Sequence, residues 1–391
     1  MSAAAPLVNL DYAASTPLRP EALAALSAFD ASELAGANPN SLHTLGRRAA
    51  VRLEEARRNI ATTFGARVRP SEVVFCGGGT EANCLALFGI AEAVREQDRH
   101  RDRVVVSAIE HDSILDNLPA LRARGFAVDI VKPCRAGFVE PAALQALMGP
   151  DVALVSIMFA NNETGVMQPV AELAAVAHAH GARFHTDAIQ GWLHAPLDVD
   201  VLGVDALSVA GHKVGGPVGI GALYLRRQTP IRPLVHGGGQ ERGLRPGTQD
   251  LRAIVGLEAA AMALAPGVAA ERERLAAFST ALYGELLDEP RICATMGDPA
   301  GVERLPGIVS VCVDGIDSEE LILQLDGRGF EVSAASACSS GSLDASHVLL
   351  AMGVPRELAL GSLRISFDDR VDRGDLVRFA RALKAIVEAR R

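Results

Sequence analysis

The chain has 391 residues, 49% of them apolar, which is enough for a large core and for two domains. Its formal net charge of −9 opposes nucleic acid as a direct partner, because a phosphate backbone attracts a basic surface. The six cysteines, Cys76, Cys84, Cys134, Cys293, Cys312 and Cys338, form no C-x-x-C pair, so neither a metal site nor a disulfide framework is expected, and a reducing cytoplasm is the expected setting.

The opening MSAAAPLVNLDYAAS has no basic start and no long apolar core, so no secretion signal is expected. From about residue 70 short apolar runs alternate with helical stretches. EVVFCGGG, RVVVSAIEH, FAVDIVKP, VALVSIMFANNE, RFHTDAIQ, DALSVAGHK and GALYLRR are brief, rich in Val and Ile, and mostly closed by polar residues or glycine; they are predicted strands. SILDNLPALRARG and VAELAAVAHAHG are predicted helices between them, which gives the grammar of a mainly parallel α/β sheet. VGLEAAAMALAPGVAA contains Glu258 and Pro266, and reads as a buried alanine-rich helix rather than a membrane span; no membrane partner is expected. Around residue 266 the pattern changes. A long helix leads to the strand-like IVSVCVDG, the helix SEELILQLDGRG, a Ser- and Ala-rich loop with Cys338, the strand LRISF and a final basic amphipathic helix.

Ligands of such sheets sit where strands end and loops begin. The polar residues gather there: His111 after VVVSAIE, Asn161 and Asn162 after VSIMFA, Asp187 and Gln190 around RFHT, and His212 and Lys213 after LSVAG. CGGGTEAN places Gly79 and Thr80 between a strand and a helix, which suits either a phosphate cradle or a simple capped turn. In GHKVGGPVGIGALYL the glycines follow Lys213 and Val214 replaces a hydroxyl, so this is no P-loop. Lys213 is then a surface lysine on a glycine turn or a buried amine that reacts with a carbonyl. Asp187 alone is either a capping residue or the partner of a protonated ring nitrogen. Together these residues offer handles for a phosphate, a pyridinium and an aldehyde, the three attachment points of pyridoxal 5′-phosphate (PLP). His178 and His180, two apart on a helix, point to different faces and suggest no metal.

The motifs LDYAASTP, NPNSLHTLGRRA, GGGTEAN, EHDSIL, NNETGVMQP, HTDAIQ, GHKVGGPVGIGALY, HGGGQERGLRPGT, SAASACSSGS and SLRIS follow one another over almost the whole chain. In that order they resemble the cysteine desulfurases of the class V aminotransferase group, fold type I PLP enzymes, in the branch with a long catalytic loop. The resemblance implies an α/β fold: a large domain over residues 17–265 with a mainly parallel seven-stranded sheet, and a small α+β domain of residues 1–16 and 266–391 bearing Cys338. It implies that Lys213 holds PLP and then acts as base, that Asp187 pairs with the ring nitrogen and Gln190 with the phenolic oxygen, and that His111 stacks on the ring. Gly79, Thr80 and His212 would hold the phosphate, and Thr248 would reach the phosphate of a neighbouring subunit, which requires a homodimer. Arg364 would clamp the substrate carboxylate, as a planar guanidinium does with two parallel hydrogen bonds, and Asn161 would lie between substrate and ring.

By the same resemblance the Cys338 thiolate attacks the sulfur of L-cysteine, leaving an enzyme persulfide and L-alanine, with an iron–sulfur scaffold protein or tRNA thiolation as the destination of the sulfur. A thiol among serines and glycine is expected to be exposed and available. Two departures stand out. Ala210 replaces a serine that donates to the phosphate in many members, and Asn83–Cys84 replaces a common aspartate–asparagine pair. Selenocysteine lyase or another class V transaminase is the enzymatic alternative; a sulfur-relay or scaffold-binding protein is the non-enzymatic one. A transaminase has no need of Cys338.

Overall fold

The structure is a computed structural model that describes residues 7–334 and 344–390. Cys338 lies outside the described residues. All seven runs predicted as strands before residue 230 form one sheet. Across it lie Val73–Cys76, Gly221–Leu225, Ala206–Ala210, Arg183–Asp187, Val152–Ser156, Arg103–Ser107 and Ala127–Val131, in that order. Gly221–Leu225 runs antiparallel to both neighbours, and the other adjacent pairs are parallel.

Period-two alternation sends successive side chains to opposite faces, and both faces are covered. Val73, Phe75, Val105, Leu207, Val209 and Tyr224 join one core with the helices Thr44–Thr62 and Leu251–Leu264. Val74, Cys76, Val104, Val106, Ala206 and Leu223 join another with the helix Gly79–Gln97. This explains why the strands read as nearly unbroken apolar runs. The segment Leu251–Leu287 is apolar and long enough to cross a membrane by length and composition, but its first helix buries Leu251, Ile254, Val255, Leu257 and Ala261 in the core.

A third core gathers both ends of the chain. Val8 and Leu10 pack with residues of the helices Val268–Leu287, Ser318–Asp326 and Arg373–Glu388 and of an antiparallel three-stranded sheet. That sheet carries Ile292–Ala294, Ile308–Val313 and Ser362–Ser366. Val8–Asn9 pairs in parallel with Phe330–Glu331, and Asp11 bridges to Ser366, so the first described residues run on beside the strand that holds Arg364.

Candidate active site

A cavity of about 410 Å³ opens at the C-terminal ends of the central parallel strands, where the strand-end residues converge. Its lining includes Gly79, Thr80, His111, Asp187, Gln190, His212, Lys213 and Arg364, residues that are far apart in the sequence.

Lys213 closes a 3₁₀ turn, Gly211–Lys213, straight after Ala206–Ala210. The following glycines let the chain reverse tightly into Gly221–Leu225: Gly215 takes φ +73°, and a Cβ on Gly211 would stand 2.9 Å from the Pro217 carbonyl oxygen. Half-buried, the lysine amine donates to the carbonyls of Ala13 at 2.7 Å and Ala14 at 2.9 Å. Gln190 Nε2 donates to the same Ala13 oxygen at 2.8 Å, so lysine and glutamine share one backbone anchor from the N-terminal segment.

Asp187 ends the strand Arg183–Asp187 and is 5% exposed. Its Oδ2 accepts from Asn83 Nδ2 at 2.6 Å and its Oδ1 from the Ile189 amide at 2.9 Å. Burial nevertheless raises its pKa, because an apolar surround disfavours the charged form. His111 is the N-cap of Asp112–Leu115, and its Nδ1 accepts from the Ser113 amide at 3.0 Å. Accepting there leaves the neutral ring's proton on Nε2. His212 is pushed down to about 4 by burial, with Lys213 and His111 adding cationic repulsion, so it enters the site as a neutral imidazole at pH 7.

Thr80 lies in the first turn of the helix Gly79–Gln97, where free backbone N–H groups and the helix dipole favour an anion. The helix approaches the sheet closely at this point. A Cβ on Gly79 would fall 2.2 Å from Ile189 Cδ1, so any larger residue there would have to displace the Ile189 side chain. Ala210 lines the cavity with no side-chain hydroxyl.

Arg364 is 2% exposed on Ser362–Ser366 and reaches the cavity from the other core. Its Nη2 pairs with Asp11 at 2.8 Å and its Nη1 donates to the Asn162 carbonyl at 3.0 Å. Nε is buried with no partner among the described residues.

One expectation changes. Asn161 does not line the cavity: it is 0% exposed, its Nδ2 donates to the Ile109 carbonyl at 3.0 Å, and its Oδ1 accepts from the amides of Glu163 and Thr164, each at 2.9 Å. Those bonds commit the side chain to holding the loop, and the neighbouring Asn162 lines the cavity instead. The sequence showed two adjacent asparagines at one strand end without showing which faced inward. Thr248 is exposed and lies outside the lining of this chain's cavity. Sequence reasoning also missed Ser113 and Met158 in the lining; Ser113 stood in the EHDSIL motif, but nothing marked it as more than a helix-start serine.

The sequence pattern of the family described as Aminotransferase class-V matches residues 8–379. The chain belongs to that family. Within it, the chain is 40% identical over 381 residues to a cysteine desulfurase IscS of Dictyoglomus turgidum, covering 97% of this chain and 94% of the relative. It is 43% identical over 364 residues to an IscS-like cysteine desulfurase of Mycobacterium tuberculosis, covering 92% and 91%. Among solved structures, a NifS-like protein superposes with a TM-score of 0.88 at 32% identity over 98% of this chain and 99% of that one. SspA in complex with cysteine superposes with a TM-score of 0.79 at 33% identity over 92% and 98%.

Class-V aminotransferases of the cysteine desulfurase kind are PLP-dependent enzymes, and the cavity's donor set fits that cofactor. Asp187 is a buried carboxylate whose pKa burial raises, and a protonated ring nitrogen would favour its charged form. The helix start at Gly79 and Thr80, with His212 beside it, suits a phosphate, and the Lys213 amine suits an aldehyde.

Proposed function

We infer that the protein is a PLP-dependent cysteine desulfurase that converts L-cysteine to L-alanine and carries the sulfur as a persulfide on Cys338. The observation that supports this best is the convergence of Lys213, Asp187 and Arg364 on one cavity, from strands of two different sheets and the turn that follows one of them. Bound PLP supplies an aldehyde for imine formation and a ring that stabilises negative charge at the substrate α-carbon. Lys213 holds the cofactor and afterwards moves the proton at that carbon. Asp187 would keep the ring nitrogen protonated, Gln190 would bond the phenolic oxygen, and His111 would stack on the ring. Thr80, His212 and the Gly79 turn hold the phosphate.

Arg364, which lines the cavity, would receive the substrate carboxylate, and Asn162 takes the place first assigned to Asn161. The solved complex of SspA with cysteine supports L-cysteine as the substrate class. The Cys338 thiolate attacks the substrate sulfur: a sulfur–sulfur bond forms, the carbon–sulfur bond breaks, its electron pair stays on the carbon fragment, and protonation completes L-alanine.

We further propose a cytoplasmic homodimer in which Thr248 reaches the partner's phosphate, and an iron–sulfur scaffold protein as sulfur acceptor. The exposure of Thr248 and the likeness to IscS proteins support this. Product analysis tests the activity. The PLP-loaded protein with L-cysteine and a reducing thiol should release alanine and sulfide in equal amounts over several turnovers, and Cys338→Ala should stop both while retaining the cofactor. Sulfide release that survives Cys338→Ala would refute the persulfide route.

A further inference from the structure

Two side chains assigned to the cofactor ring, Asp187 and His111, meet in one hydrogen-bond chain that the proposed mechanism does not use. Asn83 is 0% exposed in the second turn of the helix Gly79–Gln97. Its Nδ2 donates to Asp187 Oδ2 at 2.6 Å and to Ser113 Oγ at 2.8 Å. Ser113 Oγ lies 3.0 Å from His111 Nδ1, to which it donates.

The polarity of this chain is fixed. An ionised carboxylate only accepts, so the amide must present its nitrogen to Asp187, and the serine, having accepted from the amide, has its own proton left for the imidazole. Asn83 Oδ1 is left buried with no partner among the described residues. A buried oxygen without a donor costs stability, and asparagine is a poor helix former, so packing and helix propensity both disfavour this residue here. Local rules broken at a cavity wall are the mark of a functional position.

We propose that Asn83 is a positioning residue for the cofactor ring, orienting Asp187 directly and His111 through Ser113 from a single side-chain amide. A donated hydrogen bond favours the charged carboxylate against the burial that opposes it, which maintains the ion pair with the ring nitrogen. The relay through Ser113 holds the imidazole by its Nδ1, which sets the orientation of the ring. This rests on the reading that Asp187 faces the ring nitrogen.

The test compares PLP with an analogue whose ring nitrogen is replaced by C–H, each titrated into the full-length protein after cofactor removal, with binding followed by absorbance. Wild type should prefer PLP. In both Asn83→Leu, which keeps the volume, and Asn83→Ala, that preference should shrink by about tenfold through weaker PLP binding, with analogue binding unchanged. A variant that weakens both ligands equally, or leaves the preference intact, overturns the proposal, because it shows Asn83 acting only through general packing. A wild type with no preference overturns the Asp187 reading itself. Melting of each cofactor-free variant identifies any that fails to fold, and the other variant then carries the comparison.

Discussion

Glu110 sits beside His111 with its carboxyl 0% exposed, accepting from Ser107 Oγ and from the Met158 amide at 2.9 Å, while Oε2 has no partner among the described residues. Burial raises its pKa from 4.5 to about 8. Between those values the folded chain holds a proton that the unfolded chain has released, so this contribution to stability is fully present below pH 4.5 and is lost as pH rises through about 8. Glu110→Gln keeps an oxygen for both donors and removes the titration. It should stabilise the protein at pH 8 by about 1–2 kcal/mol and give no gain at pH 4.5, as read from urea unfolding at the two pH values. His185 acts in the opposite sense. Held between Ser156 and Ser208 and driven by burial from 6.5 to about 3, it refuses a proton that the unfolded chain accepts, so stability falls as pH drops below 6.5.

At the scale of elements, the segment HGGGQERGLRPGT is held by one buried ion pair. Glu241 meets Arg57 through two hydrogen bonds, of 2.6 and 2.8 Å, with side-chain exposures of 0% and 3%. It also accepts from the Phe75 amide at 2.9 Å, which ties the loop to the edge strand Val73–Cys76. Glu241 and Arg242 both take positive φ, +48° and +58°, a strain that persists only because the surrounding bonds impose it. Further along, Arg245 pairs at 2.9 Å with Glu81 in the first turn of Gly79–Gln97, so the loop is braced against the end of the helix that faces the cavity. Glu241→Gln leaves the buried Arg57 guanidinium with only the largely exposed Glu54, 2.8 Å from Nε, as counter-charge, and should cost up to about 3–5 kcal/mol in urea unfolding. Replacing both partners, Arg57→Met with Glu241→Leu, should cost less than the single change, because no charge is then stranded.

For the whole molecule, the cavity is a junction. Arg364 belongs to the three-stranded sheet, Asp187 to the seven-stranded one with Lys213 in the turn that follows a neighbouring strand, and the Ala13 and Ala14 carbonyls that hold Lys213 come from a segment paired with the smaller unit's strands. Relative placement of the two cores therefore sets the distance between the carboxylate clamp and the amine. If the homodimer proposal is right, sedimentation will give twice the chain mass, and Thr248→Ala will weaken PLP binding about 3–10-fold without changing that mass, because the lost hydroxyl belongs to the phosphate site of the other copy.

Elements and chemistry were legible in the residues alone. Apolar runs of strand length closed by polar residues or glycine are local signals, and every one predicted before residue 230 became a strand of the sheet. The ordered motifs placed Lys213, Asp187, His111 and Arg364 in one site although up to 253 positions separate them (364 − 111 = 253). Tertiary structure decided which neighbour faces inward and what holds each group in place. Asn161 and Asn162 are indistinguishable as strand-end amides, and only the turn that spends Asn161 on Ile109, Glu163 and Thr164 leaves Asn162 to the cavity. The roles of Asn83, Ser113 and Glu110 were likewise invisible in sequence, because a hydrogen bond between a helix and a strand end 104 residues away depends on packing, which no local pattern encodes.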